Sequence, residues 1–209
     1  MMKKQLLGVL ITGAVVILAA GALSIPFAYE SQTLWYKVGM DKTTLRTGQL
    51  AGLLTLTAIV VQILLGTRGK LLEETFGVAA LVAWHRTNGI FLCCLAVWHI
   101  ALVLVPEGVA NLPIGVKYWP EMVGGILFLV LVSQAISSLF RQQLGFNYKK
   151  WRAVHRVLAY LVLTLVTVHV LFVADSFSHG LPKIAFLVVV AAVIVIIAIS
   201  KISRWRMKE

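Results

Sequence analysis

The chain has 209 residues, of which 60% are hydrophobic and only 13% charged, with a mean hydropathy of +0.92. That balance excludes an ordinary soluble domain of this size and points to a protein embedded in lipid. A formal net charge of +11 would in a soluble protein suggest nucleic acid. Here the charge sits in short segments between apolar runs, so it reads as membrane topology and no nucleic-acid partner is expected.

A membrane-spanning helix needs about 20 mostly apolar residues, and six runs qualify. The first, Leu6 to Ile25, follows Lys3 and Lys4 and has small residues from Ala19 to Ser24. It is either the first span or a cleaved signal peptide, which would leave five spans. The others are Gln49 to Gly66, His85 to Val105, Met122 to Phe140, Ala153 to Ala174 and Ile184 to Ser200. The expected fold is an all-α integral membrane protein, six helices in a bundle.

The connections alternate in charge. One set holds Lys3, Lys4, Arg68, Lys70, Arg86, Arg141, Lys149, Lys150, Arg152, Arg156, Lys201, Arg204, Arg206 and Lys208. The other holds only Lys37, Lys42, Arg46, Lys117 and Lys183. By the positive-inside rule both termini are expected in the cytoplasm, with the protein in a bacterial inner membrane.

Four histidines carry the chemistry. His85 and His99 lie on the third run and His155 and His169 on the fifth, each pair 14 residues apart. In a helix that separation is about 21 Å along the axis, with the two side chains within roughly 40° of one face. The third and fifth helices run parallel, so His85 is level with His155 at the inner side and His99 with His169 at the outer side. Two cross-helix imidazole pairs result. A haem takes axial imidazoles from opposite faces, so each pair suits one b-type haem, and ionisable residues within a membrane generally mark function. Zinc fits poorly, because same-helix histidines are too far apart to share a metal and no carboxylate or thiolate completes either pair. The adjacent Cys93 and Cys94 offer no disulfide framework, and without a C-x-x-C-H motif no covalently attached haem is expected; they read as small packing residues.

Around the ligands, Gly89, Ala159 and Ala96 fall on the ligand faces, where a porphyrin needs small neighbours, although such residues also serve plain helix packing. Arg86 and Arg156 each follow an inner histidine. They, with Lys149, Lys150 and Arg152, can contact haem propionates or an acidic electron donor, or simply hold lipid headgroups. Trp84, Trp119 and Trp151 read as interfacial belt residues. The outer loop Asp175 to His179 is a place where an acceptor can bind, or is merely solvated.

The stretches Thr47-Gly48-Gln49-Leu50-Ala51-Gly52 through Arg68 to Trp84-His85-Arg86-Thr87-Asn88-Gly89, then Trp98-His99, and Tyr148 to Trp151-Arg152-Ala153-Val154-His155-Arg156 with His169 resemble the ferric reductase-like transmembrane domain. That family includes the membrane parts of NADPH oxidases and ferric reductases, and the haem subunit of bacterial methionine sulfoxide reductase systems. The resemblance covers roughly residues 47–174. It divides the chain into 1–46 (first helix and external loop), a di-haem core at 47–174, and 175–209 (external loop, last helix and short basic tail).

The resemblance implies electron flow from NAD(P)H through FAD or FMN to an inner haem held by His85 and His155. An outer haem held by His99 and His169 follows, and then an acceptor on the far side. No flavin or nicotinamide domain follows Trp205-Arg206-Met207-Lys208-Glu209, so the flavin is expected on a separate cytoplasmic flavoprotein or a missing domain. The sulfoxide reductase subunit has a similar length, but its inner position on the third helix is not reliably histidine, so His85 points toward the two-haem oxidoreductases. Two rivals are a quinol-reacting cytochrome b, with Glu107 and Glu121 at the outer interface, and a haem-free transporter or assembly factor.

Overall fold

The computed structural model describes residues 2–108, 112–178 and 180–206, the last three by their backbone alone. The order is α1 (Met2–Ala28), α2 (Gly39–Thr67), the short α3 (Lys70–Phe76), α4 (Val78–Leu104), α5 (Trp119–Leu139), α6 (Tyr148–Val173) and α7 (Gly180–Arg206). Among the described residues there is no strand. All but α3 are long and apolar enough to cross a membrane, so the all-α, six-span architecture expected from hydropathy is the one observed.

The helices start ahead of the expected spans: α2 at Gly39, before Gln49, and α4 at Val78, before His85, where Val78 to Trp84 simply continue the apolar run. Asp41, Lys42 and Arg46 count against a span but not against a helix, so α2 projects out of the apolar zone. His85 consequently lies about 10 Å inside α4 rather than at its mouth. α3 is an element that hydropathy did not signal. Arg68 at φ 47° ends α2, and Gly77 at φ 79° turns the chain from α3 into α4, a backbone that glycine adopts without strain.

α2 packs along α4 and α5 along α6, while α1 and α7 lean on α2. Small residues allow this closeness: a Cβ added to Gly48 would lie 3.1 Å from the backbone of Leu102 on α4. In lipid such backbone approach does more for helix association than apolar burial does. Buried Thr55 and Thr57 satisfy their hydroxyls on carbonyls of their own helix, Ala51 and Leu53, at 2.8 and 2.9 Å. The middle of the four-helix core is closed by Ala58, Ile59, Leu92, Leu127, Leu131, Val162 and Val166.

The loops at the His99 and His169 end, which are poor in basic residues, are stitched together. Glu30 pairs with Lys42 at 3.2 Å and with Arg46, and Lys37 pairs with Glu107 at 3.0 Å. Ser31 donates to Asp175 at 3.0 Å, and Ser176 to the Tyr29 carbonyl at 2.6 Å.

Candidate haem-type site between two helix hairpins

α4 and α6 face each other and bring the four histidines together by depth. The His85 and His155 ring centroids are 6.2 Å apart, and those of His99 and His169 are 6.5 Å apart, with interplanar angles of 73° and 79°. An imidazole centre lies about 1.1 Å from its nitrogen, and a metal–imidazole bond is about 2.0 Å, so two imidazoles trans on one metal sit about 6.2 Å apart. Both pairs are spaced to that figure. Among the described residues, no three His, Cys, Asp or Glu side chains gather as a multidentate metal site.

The outer pair is held from behind. His99 Nδ1 lies 2.8 Å from the Gly48 carbonyl on α2, and His169 Nδ1 lies 3.1 Å from the Pro120 carbonyl on α5. A carbonyl only accepts, so in both rings Nδ1 carries the proton and Nε2 keeps a bare lone pair for a metal. This is the arrangement by which second-shell groups fix the tautomer and orientation of ligating histidines. Four residues beyond each carbonyl is a glycine. A Cβ on Gly52 would come within 2.8 Å of the His99 ring, and one on Gly124 would collide with the His169 ring. An apolar cavity lined by Gly52, Gly124, Ala96, Leu127, Val166 and His169 opens beside this pair.

The inner pair is built differently. Gln62 Nε2 is 3.3 Å from His85 Nε2. Asn88 Nδ2 donates to Gln62 Oε1 and to the Ala58 carbonyl, both at 2.9 Å. Since Gln62 Oε1 accepts from Asn88, its amide N–H is the group turned toward His85. The Nδ1 atoms of His85 and His155 are buried with no hydrogen-bond partner. Trp151 stacks on His155 at 5.2 Å and 28°, so it is part of the site and not only a belt residue.

The two hairpins are copies of one design. Gly48, Gly52 and Gln62 on α2 have counterparts 72 residues on, at Pro120, Gly124 and Gln134 on α5, while His85, Arg86 and His99 have counterparts 70 residues on. Gln134, the counterpart of Gln62 in the repeat, is buried. Neither glutamine, nor Asn88, Pro120 or Gly124, stands out from hydropathy. The signal that finds all but Asn88 is the Gly48-to-Gln62 interval, which equals the 14-residue histidine interval and repeats in α5.

Of the other expected residues, Arg86 and Arg156 are exposed, each turned about 100° from its histidine. Gly89 lies under Gln62, with a Cβ there 3.0 Å from the amide nitrogen. Ala96 is buried and lines the outer cavity. Trp84 packs edge-on against Phe76, and Trp119 packs tilted against Phe172. Cys93 is half-buried and Cys94 exposed, both free thiols. Asp175 and Ser176 tie the outer loops to each other, which is a structural use. His179, Met207, Lys208 and Glu209 lie outside the described residues.

These features define an all-helical membrane protein with two level-matched histidine pairs on facing helices. The chain belongs to the ferric reductase like transmembrane component family, whose sequence profile matches residues 51–166. His85, His99 and His155 fall within that match, and His169 is three residues beyond it. The chain is also similar to an uncharacterized protein of Archaeoglobus fulgidus, at 31% identity over 130 residues, covering 56% of this chain and 69% of the relative. No solved structure matches. Membership makes the chain a membrane electron-transfer component of a redox-cofactor-associated family.

Proposed function

We propose that the chain carries electrons across the membrane through two b-type haems, one held by His85 and His155 and the other by His99 and His169, within a core spanning residues 47–174. The observation that carries this reading is the pair of centroid distances, 6.2 and 6.5 Å, each matching trans imidazoles on one iron. The bare Nε2 lone pairs of His99 and His169 and the glycines clearing their rings add support.

Bound there, the haems would supply a one-electron carrier at each level. Everything else falls to the protein. Gly48 and Pro120 orient the outer ligands, and Asn88 and Gln62 line the inner pocket. Arg86 and Arg156, each one residue past an inner histidine, would offer positive charge to the propionates of an inner haem. Leu92 and Val162, each seven residues from both histidines of its helix and 3% exposed, close the space between the levels to water. That dry layer suits electron movement and not an ion path.

Following the positive-inside rule, the inner pair faces the cytoplasm of a bacterial cell and both termini are cytoplasmic. The donor is a flavin (FAD or FMN) reduced by NAD(P)H on a separate cytoplasmic flavoprotein or a further domain. The acceptor, a protein or small molecule, lies on the outer face. A second reading, quinol oxidation, is favoured by one observation: Glu121 Oε2 is buried beside the outer pair with no hydrogen-bond partner, as a quinol-binding carboxylate would be.

The test is spectral. Protein purified in detergent should show reduced-minus-oxidised b-type bands at two haems per chain and be reduced by NAD(P)H with a flavin reductase. Colourless protein refutes the reading, and haem reduction by quinol with no flavoprotein present moves it to the second.

A further inference from the structure

The inner end of the site has a feature that the repeat does not explain. Tyr148, Trp151 and His155 stand three and four residues apart on α6, and therefore on one face. Their rings are stepped at 5.9 Å and 31°, then 5.2 Å and 28°. The ladder starts at Tyr148, 51% exposed, at the first residue of α6, where Asn147 Oδ1 accepts from the backbone N–H groups of Lys149 and Lys150 at 2.9 and 3.4 Å. It ends about 10 Å deeper, on an inner histidine.

Three observations mark it as more than packing. First, Arg141, in the turn after α5, lies over both outer rungs, at 5.4 Å from the Tyr148 ring and 6.0 Å from the Trp151 ring. A guanidinium so placed holds the rings and keeps a positive charge at the mouth. Second, Trp151 Nε1 is buried with no hydrogen-bond partner, a costly state unless an acceptor arrives. Third, the other hairpin lacks the ladder: the residues 70 positions back from Tyr148 and Trp151 are Val78 and Leu81, and Leu81 is 1% exposed. The repeat is kept at the ligands and broken at the mouth, on one side only.

We propose that Tyr148, Trp151 and His155, with Arg141, form the port through which a reduced flavin delivers electrons to the inner pair; this rests on the di-haem reading above. The flavin is flat and aromatic and carries an anionic phosphate, which suits the exposed tyrosine and the flanking Lys149, Lys150 and Arg152. Each reduced flavin gives up two electrons, one to each of two ferric irons, and releases its protons to water at the basic end. The rings shorten the apolar gap and are neither oxidised nor reduced.

The test is stopped-flow reduction of the full chain by two donors, photoreduced free FMN and reduced flavodoxin. Trp151→Leu should slow inner-haem reduction about tenfold, equivalent to about 1.4 kcal/mol of barrier, in at least one arm, which names the source of the flavin. Trp151→Phe, which keeps a ring, should restore the rate. The exposed Tyr148→Leu, which leaves the buried rungs in place, should also slow reduction, and should weaken the quenching of oxidised FMN emission by the protein. Haem content should be unchanged in these variants, and the inner haem's electron paramagnetic resonance signal should be unchanged in Tyr148→Leu, whose side chain does not touch His155. Wild-type rates in both arms for Trp151→Leu and Tyr148→Leu, with both haems present, overturn the port alone. Wild-type protein without haem overturns the port together with the reading it rests on.

Discussion

Gly52→Ala isolates the geometry of the outer site. The added Cβ would lie 2.8 Å from His99 Cε1 and Nδ1, whereas ordinary contact begins at 3.4 Å. The ring must therefore retreat from α2 by at least several tenths of an ångström. Gly48 is on the same helix, so the retreat also stretches the 2.8 Å bond from His99 Nδ1 to its carbonyl. Overpacking costs about 1–3 kcal/mol and loss of the hydrogen bond about 1 kcal/mol. Together these amount to about 2–4 kcal/mol, or a loss of roughly thirty- to a thousandfold in the outer site's haem affinity. Gly125→Ala is the control, because a Cβ there meets nothing within 4 Å. Pyridine haemochrome assays should give two haems per chain in the control and about one in Gly52→Ala. Equal loss in both variants, or full occupancy of the outer site in Gly52→Ala, would refute the reasoning.

The remaining tests concern pairing, ring planes and the inner amide network. His85→Ala or His155→Ala should remove one low-spin haem, and His99→Ala or His169→Ala the other, with each same-level double variant no worse than its singles; additive losses would break the pairing by depth. With ring planes at 73° and 79°, the ferric protein should give two strongly anisotropic low-spin signals, and rhombic signals typical of parallel imidazoles would contradict the geometry. Asn88→Ala should lower unfolding stability in detergent by about 0.6–1.7 kcal/mol, from the average to the maximum for interhelical bonds in membranes, and should alter the inner signal while sparing the outer.

Much of the fold was legible because one physical fact dominates the sequence: a segment crossing lipid must be long, apolar and helical. Hydropathy located all six spans, and the two 14-residue intervals placed His85 level with His155 and His99 level with His169. What hydropathy could not give was the length of α2 beyond the apolar run, since Asp41, Lys42 and Arg46 look like loop residues. Nor could it give the supporting groups. The Gly48 and Pro120 carbonyls are main-chain atoms that every residue has, and their role exists only where α2 meets α4 and α5 meets α6. Trp151 read as a belt residue because its stacking on His155 depends on which face of α6 turns inward.

The comparison of the two hairpins sharpens this. A repeat that preserves both ligands, both cradle glycines and both glutamines constrains whatever lies between the histidines to be nearly symmetric about the bundle axis. A flat macrocycle gripped from both faces meets that constraint, and a one-sided pocket does not. Departures from the repeat then identify where the ends must differ. At the inner mouth, Val78 and Leu81 on one hairpin stand in the positions that Tyr148 and Trp151 hold on the other. At the outer mouth, Gln49 has Glu121 as its counterpart, which leaves a buried carboxylate on one side alone. Transport needs an entrance and an exit with different chemistry, and the asymmetry falls at those two mouths while the ligand positions between them stay paired.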